Sequence, residues 1–145
     1  MGLADGLDSP NKKQVLVDDC VKLIDETVAA KGGMGGLAWK ATYKTVKGIK
    51  PGYVTAAIEG LLPQILAALD PIWSEGIQEG DPVEYLSDHR SRVADAILNV
   101  TDVRIKKVQN GIVQGAYKKV RSAAPPTLEE AVPGLAKIVD NYTKI

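Results

Sequence analysis

Apolar residues recur at helical spacing along most of the chain. Between Ser9-Pro10 and the glycine pair at residues 32–33, the apolar positions are Leu16, Cys20, Leu23, Ile24 and Val28. Intervals of three and four residues are typical of a helix that buries one face. Ser9 and Pro10 supply an N-cap and a first-turn proline, and glycine favours a helix stop. We therefore predict a first helix from Pro10 to about residue 31, and a flexible joint at residues 31–36.

The later segments show the same periodicity, broken by proline and glycine. Pro63 is expected to kink or split the third helix, because an interior proline removes a hydrogen bond and clashes one turn back. The further predicted helices are Leu37–Ile49, Tyr53 to about Leu69, Asp70-Pro71 to Gly80, Val83–Leu86 after the Asp81-Pro82 start signal, His89–Val108, Ile112–Ser122, and a last helix from the capping box at Thr127 to about Tyr142.

No stretch alternates apolar and polar residues with the enrichment in β-branched residues that strands show. Val and Ile are plentiful, but they fall on helical faces. The pattern predicts an all-α fold, a compact helical bundle of about six to seven helices. We expect a single domain over residues 1–145, with a short N-terminal extension at residues 1–9.

The two halves of the chain match each other. With residues 41–66 aligned to residues 115–140, a shift of 74 positions, seven residues are identical. They are Tyr43, Lys44, Val46, Pro51, Ala57, Gly60 and Leu61, which face Tyr117, Lys118, Val120, Pro125, Ala131, Gly134 and Leu135. Amphipathic patterning explains the apolar matches, but not the shared Tyr-Lys-x-Val-[Lys/Arg] motif with its following proline.

The preceding helices align with a shift of 77, which places Asp18 and Asp25 opposite Asp95 and Asp102. The difference of three residues falls at the glycine joint, where insertions cost little. We predict that residues 14–66 and 91–140 are an internal repeat, two tandem helical units related by a pseudo-two-fold axis. Tyr43 and Tyr117 should then occupy equivalent environments, and the two prolines equivalent turns.

Charge and composition narrow the functional classes. The chain has 18 basic and 18 acidic residues, whereas nucleic-acid-binding proteins usually carry a basic surplus, so nucleic acid is disfavoured as a partner. The segment Ile58–Trp73 is interrupted by charge and proline and is shorter than the roughly 20 residues of a bilayer span, so no transmembrane segment is expected. A single cysteine and an acidic start without a signal-peptide core favour a cytoplasmic protein.

Two clusters of basic residues are the candidate binding sites. Lys40, Lys44 and Lys47 share one helix face, and Lys118, Lys119 and Arg121 occupy the matching helix. A tyrosine lies within each cluster. The candidate residues are Lys40, Tyr43, Lys44, Lys47, Tyr117, Lys118 and Arg121. They indicate either paired sites for phosphate or anionic lipid headgroups, or a solvated face whose lysine stems cover apolar surface. The second interpretation is the commoner one for surface helices.

The remaining polar residues carry weaker signals. The acidic face that includes Asp18, Asp25 and Glu26 lacks the Glu-x-x-His pair of a di-metal bundle and the spacing of an EF-hand. It is expected to be solvated, or to be the partner of the lysines. Cys20 lies on an apolar face and is expected to be buried, while His89 has no accompanying nucleophile pattern, although a Cys-His pair stays open. We predict no catalytic residue, no metal ligand and no cofactor.

Three segments resemble a family of uncharacterised bacterial proteins of similar length that is classed as a domain of unknown function. They are GLAWKATYKTVKGIKPG (residues 36–52), DDCVKLIDE (residues 18–26) and VADAILNVTDVR (residues 93–104). The resemblance implies a compact all-helical protein and brings no activity, cofactor or site residue.

These observations lead to three hypotheses about the function. The leading hypothesis is a non-catalytic interaction module that assembles with itself or with a protein partner, because the net charge is 0 and the third helix is strongly apolar. The first alternative is a binding protein for an anionic lipid or an apolar small molecule, held between helices or at the basic faces. An enzyme of unrecognised class is the second alternative.

Overall fold

Seven α-helices and one 3-10 helix make up the chain in the computed structural model, which describes residues 3–31 and 33–144. The elements are the 3-10 helix Leu3–Asp8, α1 Pro10–Ala30, α2 Gly33–Lys47, α3 Tyr53–Glu79, α4 Pro82–Asp88, α5 Arg90–Ile105, α6 Gly111–Arg121 and α7 Ala124–Lys144. These described residues contain no strand. The predicted all-α bundle is confirmed.

Helix ends follow the predicted signals at several positions. Ser9 occupies the N-cap position of α1 without a side-chain hydrogen bond to the helix, and Pro10 takes the first helical position. The Asp81 carboxylate accepts hydrogen bonds from the amides of residues 83 and 84 at 3.1 and 3.2 Å, which caps α4. The side chain of Asn110 caps α6 in the same way. Gly80 ends α3 with φ at 105°, a conformation that glycine adopts without strain.

The predicted split of α3 at Pro63 and the predicted restart at Asp70-Pro71 are wrong, because the helix runs without interruption through Pro63 and Pro71. A kink at Pro63 stays a prediction. Both prolines are exposed, so the carbonyls that lose their amide partner lie toward water. An interior proline still costs about 3 kcal/mol. The opposite face of the helix offsets that cost by burying Leu62, Leu66, Leu69, Ile72 and Trp73.

The predicted flexible joint is also wrong where the structure describes it, since α2 begins at Gly33 instead of about Leu37. Residue 32 of this segment lies outside the described residues. Gly36 is buried, and a Cβ at this position would lie 2.5 Å from the carbonyl oxygen of Lys31. Glycine is therefore needed here for a close approach of α2 to the end of α1.

The last helix starts earlier than predicted, at Ala124 and not at the capping box of Thr127. Pro125 and Pro126 lie in the first turn, where the missing proline N–H groups have no partner to lose. The Thr127 hydroxyl donates to the carbonyl of Ala123 at 3.1 Å instead of capping a helix. A capping box and a first-turn proline pair are competing start signals, and the prolines prevail.

The core is centred on α3 and α7. Helix α3 packs on α1, α4 and α5, and α7 packs on the same three helices, while α2 packs against α6. The predicted N-terminal extension takes part in this core from residue 3 onward. Leu3 is buried, its amide donates to the Asp70 carboxylate at 3.3 Å, and its carbonyl accepts from the Tyr142 hydroxyl at 2.8 Å.

None of the helices within residues 3–31 and 33–144 combines the length and the hydropathy that a bilayer span requires.

Candidate functional site

An apolar cavity of about 250 Å³ lies among α1, α3, α5 and α7, with one residue of α2 in its wall. The surface of the lining is almost entirely apolar, and many of the leucines and isoleucines in it are only half-buried. The lining residues are Cys20, Leu23, Ile24, Thr27, Val28, Trp39, Ile58, Leu61, Leu62, Ile65, Ile97, Thr101, Thr127, Leu128, Ala131, Val132 and Leu135. Large aliphatic residues thus face a space that the chain itself does not fill.

The hydroxyl groups in the cavity wall already donate hydrogen bonds within the helices. The hydroxyls of Thr27, Thr101 and Thr127 donate to the carbonyls of Leu23, Leu98 and Ala123 at 2.7, 3.1 and 3.1 Å. A buried water needs two to four polar partners. Burial, with a smaller effect from Asp19, raises the pKa of the Cys20 thiol to about 12, which keeps the thiol neutral at pH 7. The cavity therefore suits an apolar occupant better than water.

One polar atom of the cavity wall lacks a partner. The indole Nε1 of Trp39 is buried and has no hydrogen-bond acceptor among the residues that the structure describes. A buried N–H without an acceptor costs about 1–3 kcal/mol. A buried hydrogen-bond donor without an acceptor is uncommon in folded proteins and needs an explanation.

A second concavity, of about 410 Å³, contains the predicted lysine face of the first half. It is lined by Asp25, Val28, Ala29, Lys40, Tyr43, Lys44 and Lys47. We call it the basic pocket. Within it the Asp25 carboxylate accepts a hydrogen bond from the Tyr43 hydroxyl and lies 3.5 Å from Lys47 Nζ. This Nζ also lies 4.9 Å from the centre of the Tyr43 ring, within the range of a cation–π contact.

The Asp25 contacts fix α2 to α1 and divide the lysine face into two parts. Burial, followed by the hydrogen bond to Asp25, raises the pKa of Tyr43, so this tyrosine stays neutral. Lys47 is engaged by Asp25, whereas Lys40 and Lys44 make no ion pair within residues 3–31 and 33–144. Two of the three predicted lysines are therefore available to an anion.

The candidate residues of the second half form a matching contact between α5 and α6. Asp102 accepts hydrogen bonds from the Tyr117 hydroxyl and, in a bidentate pair at 2.9 and 3.0 Å, from Arg121. Tyr117 also lies 2.9 Å from the hydroxyl of Thr101. Lys118 is exposed. Tyr117 and Arg121 of α6 thus contact Asp102 of α5. In the alignment of the two halves, Asp102 is the residue that faces Asp25.

Electrostatics strengthen this second contact. The hydrogen bond from Arg121, and then that from Tyr117, lowers the pKa of the Asp102 carboxyl. Burial, and then the hydrogen bond to Asp102, raises the pKa of Tyr117. Near pH 7 the contact therefore consists of a charged carboxylate, a charged guanidinium and a neutral phenol. Such a bidentate pair is a positioning device between helices.

The Cys-His pair that the sequence left open is not formed in the described part of the chain. Cys20 lines the cavity, whereas the His89 ring stacks on Tyr85 with 4.1 Å between ring centres. The Nδ1 atom of His89 lies 2.8 Å from the carbonyl of Tyr85. His89 is the C-cap residue of α4, and its contacts with Tyr85 indicate a structural role.

Sequence reasoning missed the cavity and the role of Trp39. The apolar positions of α1, α3 and α7 were identified, but a helical pattern does not distinguish a filled interface from one with a gap. The available signal was the lack of large aromatic residues, since the chain has no Phe and only 2 Trp. Aliphatic side chains alone must then fill the space among these helices.

The fold and this site define an all-α bundle with a partly open apolar cavity beside a basic pocket. The chain belongs to the family of unknown function DUF6918, whose family model matches residues 3–143. The resemblance to an uncharacterised family is thereby confirmed, while a bacterial origin stays a prediction. No curated protein and no solved structure matches the chain.

Proposed function

We propose that this protein binds an apolar small molecule in the cavity among α1, α3, α5 and α7. The observation that carries the proposal is the cavity itself, about 250 Å³ of space with an apolar lining. An apolar cavity of about 150 Å³ is enough to hold benzene. The space here admits a substituted ring or an alkyl chain of medium length. It lies slightly below the range of about 300–1,000 Å³ that is typical of drug-sized sites.

The half-buried aliphatic residues support binding in solution. Leu23, Ile58, Leu61 and Leu135 line the cavity while keeping part of their surface accessible. An apolar ligand would remove this surface from water. Each buried methylene contributes about 0.8 kcal/mol, which corresponds to roughly a fourfold change in Kd.

Titration calorimetry with straight-chain alcohols tests the proposal on the whole protein. From hexan-1-ol to octan-1-ol, Kd should fall about fourfold per added methylene until the cavity is full. The variant Ala131→Leu places three more carbons at the cavity wall and should weaken octan-1-ol binding at least tenfold. The matched control is Ala67→Leu, the same change at an exposed position of α3, which should bind like the wild type.

Two results would exclude cavity binding. One is a Kd that does not respond to chain length, because a filled hydrophobic space must respond. The other is equal binding by the Ala131→Leu and Ala67→Leu variants. The thermal midpoint provides an independent check, since a leucine that fills an empty space should stabilise the unliganded protein.

Self-assembly is the second candidate function. Helices α2 and α6 pack together, and Leu37 and Ile112 near their beginnings are 69% and 57% exposed. A concavity of about 490 Å³ lies between these helices and is lined mainly by small residues. A zero net charge adds no repulsion between copies. These features favour a contact between copies through the α2–α6 face.

Native mass spectrometry of freshly purified protein compares the two candidates directly. A retained small molecule supports cavity binding. A dimer that becomes monomeric in the Leu37→Lys, Ile112→Lys variant supports assembly through the α2–α6 face.

A cytoplasmic location stays a prediction that rests on the single cysteine, and fractionation of cells that express the tagged protein would test it.

A further inference from the structure

The apolar cavity and the basic pocket are neighbours at the junction of α1 and α2. Val28 of α1 lines both of them. In α2 the consecutive residues Trp39 and Lys40 line the cavity and the pocket, respectively. The two spaces thus share the α1–α2 junction as a common border, so one ligand can occupy both.

The charges of the basic pocket favour an anion at this junction. Three lysines and one carboxylate line it, and the carboxylate of Asp25 is already engaged by Tyr43 and Lys47. Lys40 and Lys44, one helical turn apart, make no ion pair within the described ranges 3–31 and 33–144. A group that approaches from solvent therefore meets two uncompensated positive charges.

The buried indole of Trp39 supplies a second, independent indication. Its Nε1 donor has no acceptor among the described residues, and the ring belongs to the cavity wall next to the lysines. A ligand oxygen within hydrogen-bond distance of this nitrogen would accept that hydrogen bond. An aliphatic hydrocarbon has no oxygen to offer, so this donor favours a ligand with a polar end.

We infer that the ligand is a single-chain amphiphile with an anionic carboxylate or phosphate head. Its chain would occupy the apolar cavity, its head would contact Lys40 and Lys44, and one head oxygen would accept from Trp39 Nε1. This inference rests on the proposed function and adds the class of ligand to it.

The second half of the chain offers a natural control, because it lacks this combination. The position that aligns with Trp39 is Val113, and the position that aligns with Lys40 is Gln114. The Gln114 amide donates to the carbonyl of Val108. Lys118 and Lys119 are exposed but do not line the apolar cavity. Only the first half therefore joins lysines, indole and cavity.

The experiment compares octanoate, octyl phosphate and octan-1-ol by titration calorimetry with the full chain. The three probes share one chain and differ in the head. We expect octanoate or octyl phosphate to bind about two- to thirtyfold more tightly than the alcohol, the range for two partly exposed charge contacts. The K40Q/K44Q variant should remove this advantage and leave alcohol binding unchanged. The K118Q/K119Q control should keep the advantage, and added salt should reduce it.

The variant Trp39→Phe tests the indole separately. It keeps an aromatic ring in the cavity wall and removes the donor, so the head-group advantage should fall while the alcohol retains its dependence on chain length. Far-UV circular dichroism of each variant verifies that folding is preserved.

The outcomes separate the two proposals. If the alcohol binds and the anionic probes gain nothing from Lys40 and Lys44, the inference is overturned and the cavity function stands. If none of the probes binds, both are overturned. Sedimentation with anionic vesicles without binding of the soluble probes also overturns the inference, because the lysines would then act at a membrane surface.

Discussion

Replacing Asp102 by alanine removes three hydrogen bonds at once from the contact between α5 and α6. The carboxylate accepts from the Tyr117 hydroxyl and from two nitrogens of Arg121. Thr101 remains as a partner for the tyrosine, so the phenol is not left without a hydrogen bond. The guanidinium loses its partner but has access to water, since the side chain of Arg121 is 37% exposed.

The expected loss follows from this partial exposure. Hydrogen bonds to charged groups contribute about 1.5–3 kcal/mol each when shielded, whereas exposed ion pairs contribute about 0.2–1 kcal/mol. The Asp102 side chain is 38% exposed, which places the site between these cases. We expect Asp102→Ala to lower the free energy of unfolding by about 1–2 kcal/mol. Asp25 contacts one tyrosine and, at 3.5 Å, one lysine. We therefore expect Asp25→Ala to lower the free energy of unfolding by about 0.5–1 kcal/mol.

Acid should remove the difference between the wild type and Asp102→Ala. Arg121 and Tyr117 lower the pKa of Asp102 in the folded state. A carboxyl with a lowered folded pKa contributes stability that is fully present above its unfolded pKa of about 3.9. That contribution is lost as the pH falls through the folded value. The difference should be constant from pH 7 to about pH 5 and shrink below about pH 4.

Urea unfolding followed by far-UV circular dichroism at a series of pH values measures these quantities. The urea dependence should be unchanged, because the variant does not alter the surface exposed on unfolding. The reasoning is refuted if Asp102→Ala stays within about 0.5 kcal/mol of the wild type, the usual range for surface changes. A loss that persists undiminished in acid would show that the charge of Asp102 is not its cause.

Two further predictions concern the contact of the N-terminal segment with Tyr142 and the N-cap of α4. Gly6→Ala would place a Cβ against the Tyr142 hydroxyl and should destabilise the protein by about 1–3 kcal/mol. Its comparison is Tyr142→Phe, which loses the hydrogen bond to Leu3 without a steric clash and should cost about 1 kcal/mol in thermal or urea unfolding. Asp81→Ala should cost about 1 kcal/mol, because it removes the N-cap of α4. Asp81→Asn is the control, and equal losses in the two variants would contradict the capping role.

The all-α class was predictable because it depends on local pattern. The spacing of Leu16, Cys20 and Val28 on α1, together with the caps at Ser9 and Asp81, indicates helices without knowledge of tertiary contacts. The course of α3, where prediction failed, depends on tertiary packing instead. The path of α3 through Pro63 is decided by the apolar area that this helix buries, which no local rule measures.

The candidate site was only partly predictable for the same reason. Sequence identified Lys40, Lys44 and Lys47 as one face and left open that the acidic face with Asp25 is their partner. The structure shows that Asp25 engages the third of them. The partner lies on another helix, and helical spacing gives no information about neighbours across an interface. The unpartnered donor of Trp39 is likewise a property of its surroundings.

The internal repeat stays a prediction, and the structure adds support of two kinds. Tyr43 and Tyr117 are both half-buried and both donate to an aspartate on the preceding long helix. Packing is also reciprocal, since α1 packs on α7 and α3 packs on α5. The predicted equivalence of the proline turns is wrong, because Pro51 lies in the turn before α3 while Pro125 lies inside the first turn of α7.

The predicted repeat, with one specialised half, would explain where the candidate site lies. Each half uses an aspartate to hold its short helix against the preceding one, and this contact needs the same residue types in both units. The residues proposed to recognise the ligand are those at which the halves differ, Trp39 against Val113 and Lys40 against Gln114. Differences at positions that do not hold the helices together can accumulate without loss of the fold. The head-group site is therefore expected once per chain, on the α1–α2 side of the cavity, although the predicted repeat would supply its helical scaffold twice.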